Sequence, residues 1–206
     1  MAGKRQRLLR WLAIGVFLAG GLLAAHAVSI PAKAVLAQVL LERAWQLTLQ
    51  DGDAHRPWPW AEHWPVGKLH FPTLGESHVI LEGDTGNVLA FAPGRNHRSG
   101  TLGAFRTTVI SAHRDTHFSN IGQLESGDRI RVEAENGSVT YRVTATRVVD
   151  ARQSSIRARD RRELILVTCW PFDAVDAGGS ERYVVVANAE ADLAEAATQR
   201  PRAPKY

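Results

Sequence analysis

Three side chains in this sequence have the types and setting for chemistry: one thiol, one imidazole and one guanidinium. Cys169 is the only cysteine, and it stands near the end of the run Glu163-Leu-Ile-Leu-Val-Thr-Cys-Trp-Pro-Phe172. A thiol attacks a carbonyl as its thiolate, yet a free cysteine is mostly protonated at neutral pH. It needs a neighbouring base that can also return a proton to a departing amine, which is work suited to histidine. Of the eight histidines, His55, His63, His70, His78 and His97 fall in loops or at edges and read as solvated side chains. His113 differs, because it follows the strand-like Thr107-Thr-Val-Ile-Ser111 and opens the polar turn Arg114-Asp-Thr-His-Phe118. A carbonyl under attack also needs a fixed donor or positive group at the developing oxyanion. Arg182 opens the apolar run after the loop Asp173–Glu181, and its charge is permanent and its fork planar.

Each residue also has a plainer reading. A free cysteine often only fills core space. Arg182 would make a surface ion pair with Glu181 or Asp173. Asp115 and His117 would orient the turn after His113. The His113-x-x-x-His117 spacing matches zinc ligation when both histidines share a helix, but here the segment is a strand exit.

The elements that must position these groups are mostly strands. Short β-branched runs at Gly67–Phe71, His78–Leu81, Thr107–Ser111, Asp128–Ala134, Val139–Val149, Leu164–Thr168 and Arg182–Ala187 are separated by Gly, Asn and Asp turns. Asn136-Gly137 between two alternating runs predicts a hairpin. Regularly spaced strands with few long helices predict an all-β fold closed into a barrel, which leaves no exposed edge. Pro171 cannot donate to a ladder, so the strand carrying Cys169 must end there. Val88–Phe91 and Phe118–Leu124 read as short helical turns.

The first thirty residues bear on the compartment. Lys4, Arg5, Arg7 and Arg10 precede an uncharged stretch from Trp11 to Ala25, and Leu8–Ile30 approaches the ~20 residues a bilayer requires. Basic residues ahead of the span place the N-terminus in the cytoplasm and the body outside it. A cleaved signal peptide is the alternative, since Ala25-His-Ala27 has an A-x-A pattern. In either case an exported chain with a single cysteine has no internal disulfide partner, so its thiol is buried or useful.

The chain divides into a basic N-terminus (1–7), an anchor (8–30), an amphipathic helix with a Pro/Trp-rich strap (31–65), a barrel (66–189) and a flexible tail (190–206). The helix spans Lys33–Gln50, with an apolar face of Val35, Leu36, Val39, Leu40, Ala44 and Leu47. The strap His55–Pro65 holds three prolines and three tryptophans, which forbid regular structure and favour an extended run laid on the domain. Much of the formal charge of +4 sits in the tails, and no basic stripe interleaved with aromatics points to nucleic acid.

Three segments resemble the signature segments of sortases: Ala112-His-Arg-Asp-Thr-His-Phe118, Leu166-Val-Thr-Cys-Trp-Pro-Phe172 and Gly178-Gly-Ser-Glu-Arg-Tyr-Val-Val185. The likeness extends from about Ala44 to Ala187, takes in the Pro-Trp-Pro-Trp strap and Leu81-Glu-Gly83, and is strongest to the Gram-negative, proteobacterial group. The resemblance implies an eight-stranded sortase β-barrel behind an N-terminal transmembrane helix in the inner membrane, with the catalytic domain in the periplasm. It implies a cysteine transpeptidase that cuts a C-terminal Leu-Pro-x-Thr-Gly-like sorting signal of a substrate protein and passes the acyl group to an amine acceptor. The family's catalytic trio falls on Cys169, His113 and Arg182, and Thr168 falls beside the oxyanion. No metal or cofactor is called for. A cysteine peptidase using water as acceptor, and a barrel-shaped binding module with a core cysteine, are the alternatives. The sequence departs from the family in Ser99–Thr108, Ser111 and Trp170, which bear on the groove's shape more than on the chemistry.

Overall fold

A computed structural model describes residues 2–174 and 178–192. Contacts divide the chain into two units, 1–40 and 41–206. Within the first, the described residues are all helical and belong to α1 (Ala2–Asp51). This helix is long and apolar enough to cross a membrane, and Trp11, Val16, Phe17, Leu22 and Leu23 are each more than two-thirds exposed along it. The expected break between an anchor and a second helix is absent. α1 continues through Pro31, although proline lacks the N–H that would bond the carbonyl four residues back.

The second unit is an eight-stranded closed barrel, so the predicted all-β architecture holds. Its strands are β1 (Pro65–Phe71), β2 (Glu76–Glu82), β3 (Gly94–Arg95), β4 (Thr108–Ser111), β5 (Arg129–Ala134), β6 (Gly137–Asp150), β7 (Glu163–Cys169) and β8 (Glu181–Ala189). Around the barrel they run β1-β2-β3-β4-β7-β8-β6-β5. Pairing is antiparallel except for β2 with β3 and β4 with β7. A short helix α2 (Gly86–Leu89) and a 3₁₀ turn (Ile121–Gln123) lie near the expected helical turns. The hairpin at Asn136-Gly137 forms with Glu135 and Asn136 as its loop, and Gly137 takes the positive φ of 124°. Glycine alone adopts that angle without Cβ strain.

Alternation fills the interior. Leu69, Phe71, Ile80, Ile110, Ile130, Tyr141, Leu164, Leu166 and Val185 are each 0–1% exposed in one core. Burial of the Tyr141 ring pushes its phenol up to about 12.

The end of α1 belongs to this unit, but its buried face differs from the expected one. Leu41, Ala44, Trp45 and Thr48 are buried at helical spacing, whereas Val35, Leu36 and Val39 are exposed. The Trp45 indole donates to Glu133 (3.2 Å) and Lys68 pairs with Glu42 (2.9 Å), which fixes this stripe against β1 and β5. The strap has no regular structure, as expected. Within it Trp58 packs edge-on to Phe91 with ring centroids 5.0 Å apart, while Trp60 is 79% exposed. The tail does not fray from Glu190. Glu190 accepts from Arg129 (2.8 Å) and Arg142, and Asp192 pairs with Arg162 (3.1 Å). Residues 193–206, the rest of the expected tail, lie outside the described residues.

β3 is the strand that alternation did not reveal. It has two residues and is held by Arg95, whose guanidinium donates to Glu82 of β2 (2.9 Å). A Cβ at Gly94 would meet the Gly83 carbonyl oxygen at 2.1 Å, so β3 requires glycine there. Gly94→Ala is expected to destabilise the protein by about 1–3 kcal/mol through backbone overpacking. Gly86→Ala, with no atom within 4 Å of its Cβ, is expected to be near neutral. Urea midpoints of the two variants check this.

Candidate active site

Strand register assembles the three residues. In β7, Leu164 and Leu166 face the core, so Ile165, Val167 and Cys169 stand on the outer wall. On β8, Cys169 faces Arg182 directly in the antiparallel register. Directly opposed residues share a face with their Cβ atoms about 5 Å apart. On the other side β4 runs parallel to β7 with Ser111 beside Val167, and the Ala112 N–H extends the ladder to the Val167 oxygen (3.2 Å). Two residues further on, His113 comes level with Cys169. The order across the wall is His113, Cys169, Arg182. Cys169 is half-buried, His113 exposed and Arg182 half-buried.

The surrounding groups hold this alignment. Thr168 is 2% exposed, and its hydroxyl donates to the Ala112 carbonyl (2.8 Å), tying the exit of β4 to the end of β7. Asp115 is exposed and turns its carboxylate to Arg114 (3.1 Å). Arg182 donates from Nη1 to the carbonyls of Gly179 (2.7 Å) and Glu181 (2.8 Å), in the loop that leads into its strand. The middle of that loop, residues 175–177, lies outside the described residues.

Arg114 is the residue that sequence reasoning missed. It sits in a polar turn beside His113 yet is only 6% exposed, and it donates to the carbonyls of Pro171 (2.9 Å) and Ala174 (3.0 Å). It therefore straps the segment after the thiol to the segment after the imidazole. Phe172 reinforces the joint by packing so close to Gly122 that a Cβ there would meet its ring at 2.6 Å. Trp170, Phe172 and Tyr183 form a ring cluster with centroids 5.2–5.7 Å apart beneath the site.

The histidines expected to be solvated are not all so. His63 is 5% exposed and packs edge-on to Trp58. His70 and His78 are partly covered, at 20% and 18% side-chain exposure. His117 turns inward, donates to the Phe91 carbonyl and packs edge-on to His78 with centroids 5.4 Å apart. Burial is the main cause that pulls its imidazole down to about 4, followed by the His78 charge; the Phe91 bond opposes this and His113 adds to it. His63, His70 and His78 are also lowered, each chiefly by burial. Among the described residues no group of three or more His, Cys, Asp or Glu side chains is placed to share a metal ion.

Parallel β4–β7 pairing, a thiol at the end of β7 and an arginine opposite it on an eight-stranded barrel are the marks of one protein class. A family model described as the sortase domain matches residues 69–190, and the chain belongs to the sortase family. Sortase D of Bacillus subtilis (strain 168) is 34% identical over 121 residues, which cover 58% of this chain and 61% of that protein. The chain thus spans about three-fifths of the length of this curated relative. A sortase D5 transpeptidase of Clostridium perfringens shares the fold with a TM-score of 0.61 at 20% identity, over 75% of this chain and 98% of that one. Sortase A from Corynebacterium diphtheriae does so with a TM-score of 0.56 at 23% identity, over 63% and 62%.

Two outcomes follow from these contacts. Arg114→Ala leaves the Pro171 and Ala174 carbonyls without these donors, and is expected to cost on the order of 3 kcal/mol in urea unfolding at neutral pH. The buried histidines set the acid limb of stability. Unfolding returns His117 from about 4 to its ordinary 6.5, so the unfolded chain binds more protons between those values. The His117 contribution to stability is complete above about 6.5 and falls as the pH drops towards 4. His117→Gln is expected to flatten the urea midpoint against pH within that window.

Proposed function

We propose that the chain is a membrane-anchored cysteine transpeptidase, with Cys169 as nucleophile, His113 as proton carrier and Arg182 as oxyanion partner. The observation that supports this most is the register that opposes Cys169 to Arg182 and brings the exit of β4, two residues before His113, beside Val167. Cys169 passes its thiol proton to His113, and its sulfur bonds to the carbonyl carbon of the threonine in a Leu-Pro-x-Thr-Gly-like sorting signal. Arg182 then stabilises the oxyanion, while His113 gives a proton to the glycine amine as the peptide bond breaks. A thioester remains on Cys169. An incoming amine loses a proton to His113, attacks the thioester and leaves with the acyl group, restoring the thiol. Without an amine, water completes a slower turnover as a thiol peptidase would.

Thr168 acts here as a support, because its hydroxyl is engaged with Ala112 at the step before His113. Asp115 acts through Arg114. The apolar length of α1 and the basic residues at its start support an inner-membrane anchor with the N-terminus in the cytoplasm and the barrel in the periplasm. The substrate is then an exported protein with a C-terminal sorting signal. The strap and the three signature segments support placement in the Gram-negative group.

Incubation with Leu-Pro-x-Thr-Gly peptides, followed by intact-mass spectrometry, is expected to show an acyl adduct on Cys169 that an added amine converts to an amide. Cys169→Ala is expected to abolish the adduct. Arg182→Ala is expected to lower kcat/KM for acylation roughly 100- to 1000-fold, the effect of losing an oxyanion donor. An adduct that added amines never intercept would identify a peptidase. Full activity in Cys169→Ala would remove the thiol from the mechanism.

A further inference from the structure

β1 and β6 run in the same direction as β7, so the barrel end where they begin is opposite the end where β7 finishes at Cys169. At that opposite end, beside the last turns of α1, lies a cavity of about 340 Å³. Its volume is within the ~300–1,000 Å³ of small-molecule sites. Its apolar wall is formed by Trp64, Val66 and Leu102, and the buried Trp45 closes its back. Neither the row at Cys169 nor the turn after His113 contributes to it.

Three charged side chains line the cavity, and two of them cancel. Arg95, 9% exposed, donates from Nε to one Glu82 oxygen (2.9 Å) and from Nη2 to the other. Its Nη1 is spent on the carbonyls of Ser99 (3.4 Å) and Gly100 (3.3 Å). The third, Glu135, has no hydrogen-bond or ion-pair partner among the described residues. Its carboxylate leans over the end of α1, with Oε1 3.1 Å from the place a Cβ on Gly52 would take. Gly52 ends that helix in the left-handed region at φ 78°, and its N–H donates to the Thr48 carbonyl (2.9 Å). A helix C-terminus carries roughly half a negative charge, which cations stabilise and carboxylates oppose. The last turn of α1 holds no basic side chain, and His55, just past it, is taken by Asp51 (2.8 Å). Glu135 therefore faces a second negative pole without a basic partner, a repulsion that a positive ligand relieves. A divalent metal wants six or more oxygen ligands, and among the described residues no three His, Cys, Asp or Glu side chains are placed to share one. One free carboxylate beside an indole face suits an organic cation instead, with its aliphatic body covered by Val66 and Leu102.

We infer that this cavity is a binding site for a small organic cation, an ammonium group on a short aliphatic body, held between the Glu135 carboxylate and the face of Trp64. The site stands apart from Cys169, so its test does not depend on turnover. Full-length protein in a neutral detergent is titrated by calorimetry with choline and with its uncharged isostere 3,3-dimethylbutan-1-ol. A second pair, n-butylammonium and butan-1-ol, repeats the comparison with a primary ammonium. Each cation is expected to bind about tenfold tighter than its neutral counterpart, the combined effect of one ring and one partly exposed carboxylate. The preference should shrink as salt rises from 0.05 to 1 M, because the Debye length contracts to about 3 Å. Glu135→Gln is expected to reduce the preference about threefold, the size of a partly exposed charge pair. Trp64→Leu keeps the apolar cover but removes the ring, and is expected to weaken the cations by a similar factor while leaving the alcohols unchanged. Glu135→Lys carries its own ammonium to the helix end, and is expected to raise the urea midpoint and to exclude choline. Equal affinity for cation and alcohol would overturn the inference and leave an apolar cleft. A preference that survives in the Glu135→Gln, Trp64→Leu double variant would place the cation elsewhere and overturn it as well. No response to either cation would also overturn it, and a response to N-acetylglucosamine in that case would mark a glycan contact.

Discussion

Everything at the site depends on β4 lying parallel to β7. A parallel pair brings two strand ends out on the same side, so a residue just past one strand and a residue closing the other become neighbours without any loop aiming them. β8 returns antiparallel on the far side of β7, and its first residues meet the last of β7. The thiol thus sits in the middle strand of three, with Arg182 opposite it on β8 and the exit of β4 on its other side. The pairing is secured from beneath by residues that never reach the reaction. Ile110, Leu164, Leu166 and Val185 fill the interior, and the Thr168 hydroxyl closes the last gap at Ala112. Moving one strand by a single residue would turn Cys169 into the core.

Position on the wall separates two kinds of neighbour. Those on the outer face stand open beside Cys169, while those on the inner face or in the turns hold geometry. Arg114 belongs to the second kind despite its charge. Its guanidinium ends on main-chain carbonyls of the segment following the thiol, so two strand exits are joined through a single side chain. The buried ring of His117 occupies the same turn and packs against His78 of β2. The turn after His113 is accordingly part of the barrel's packing through Arg114, His117 and Phe118, with His113, Asp115 and Thr116 left at the surface.

Much of this was legible in the sequence, and the gaps have physical causes. Seven strands announced themselves by alternation and β-branching, and His113, Cys169 and Arg182 stood out because each marked a strand end. β3 did not, since two residues carry no period and its stability comes from the ion pair with Glu82. Arg114 read as a solvated turn residue because the carbonyls that bury it are 57 and 60 residues further along the chain. His63 and His78 read as exposed for the same reason: Phe91 and His117, far along the chain, pack against them. The apolar face assigned to the helix was offset because Val35, Leu36 and Val39 are as apolar as Leu41 and Trp45. Only the contacts with β1, β2, β5 and α2 distinguish the two sets.

The barrel's interior is solid, and the Cys169 thiol stands on its outer wall. Nothing therefore limits the bulk of what arrives, because an open wall needs only a short extended segment from each visitor. On the transpeptidase reading proposed above, a folded protein would present one end to Cys169, depart, and leave the same approach to a second macromolecule. Water has the same access. In an enclosed cleft, exclusion of solvent would decide what completes the reaction. On that same transpeptidase reading, the choice on an open wall would pass to the acceptor, which would compete with water through its own residence beside the thioester.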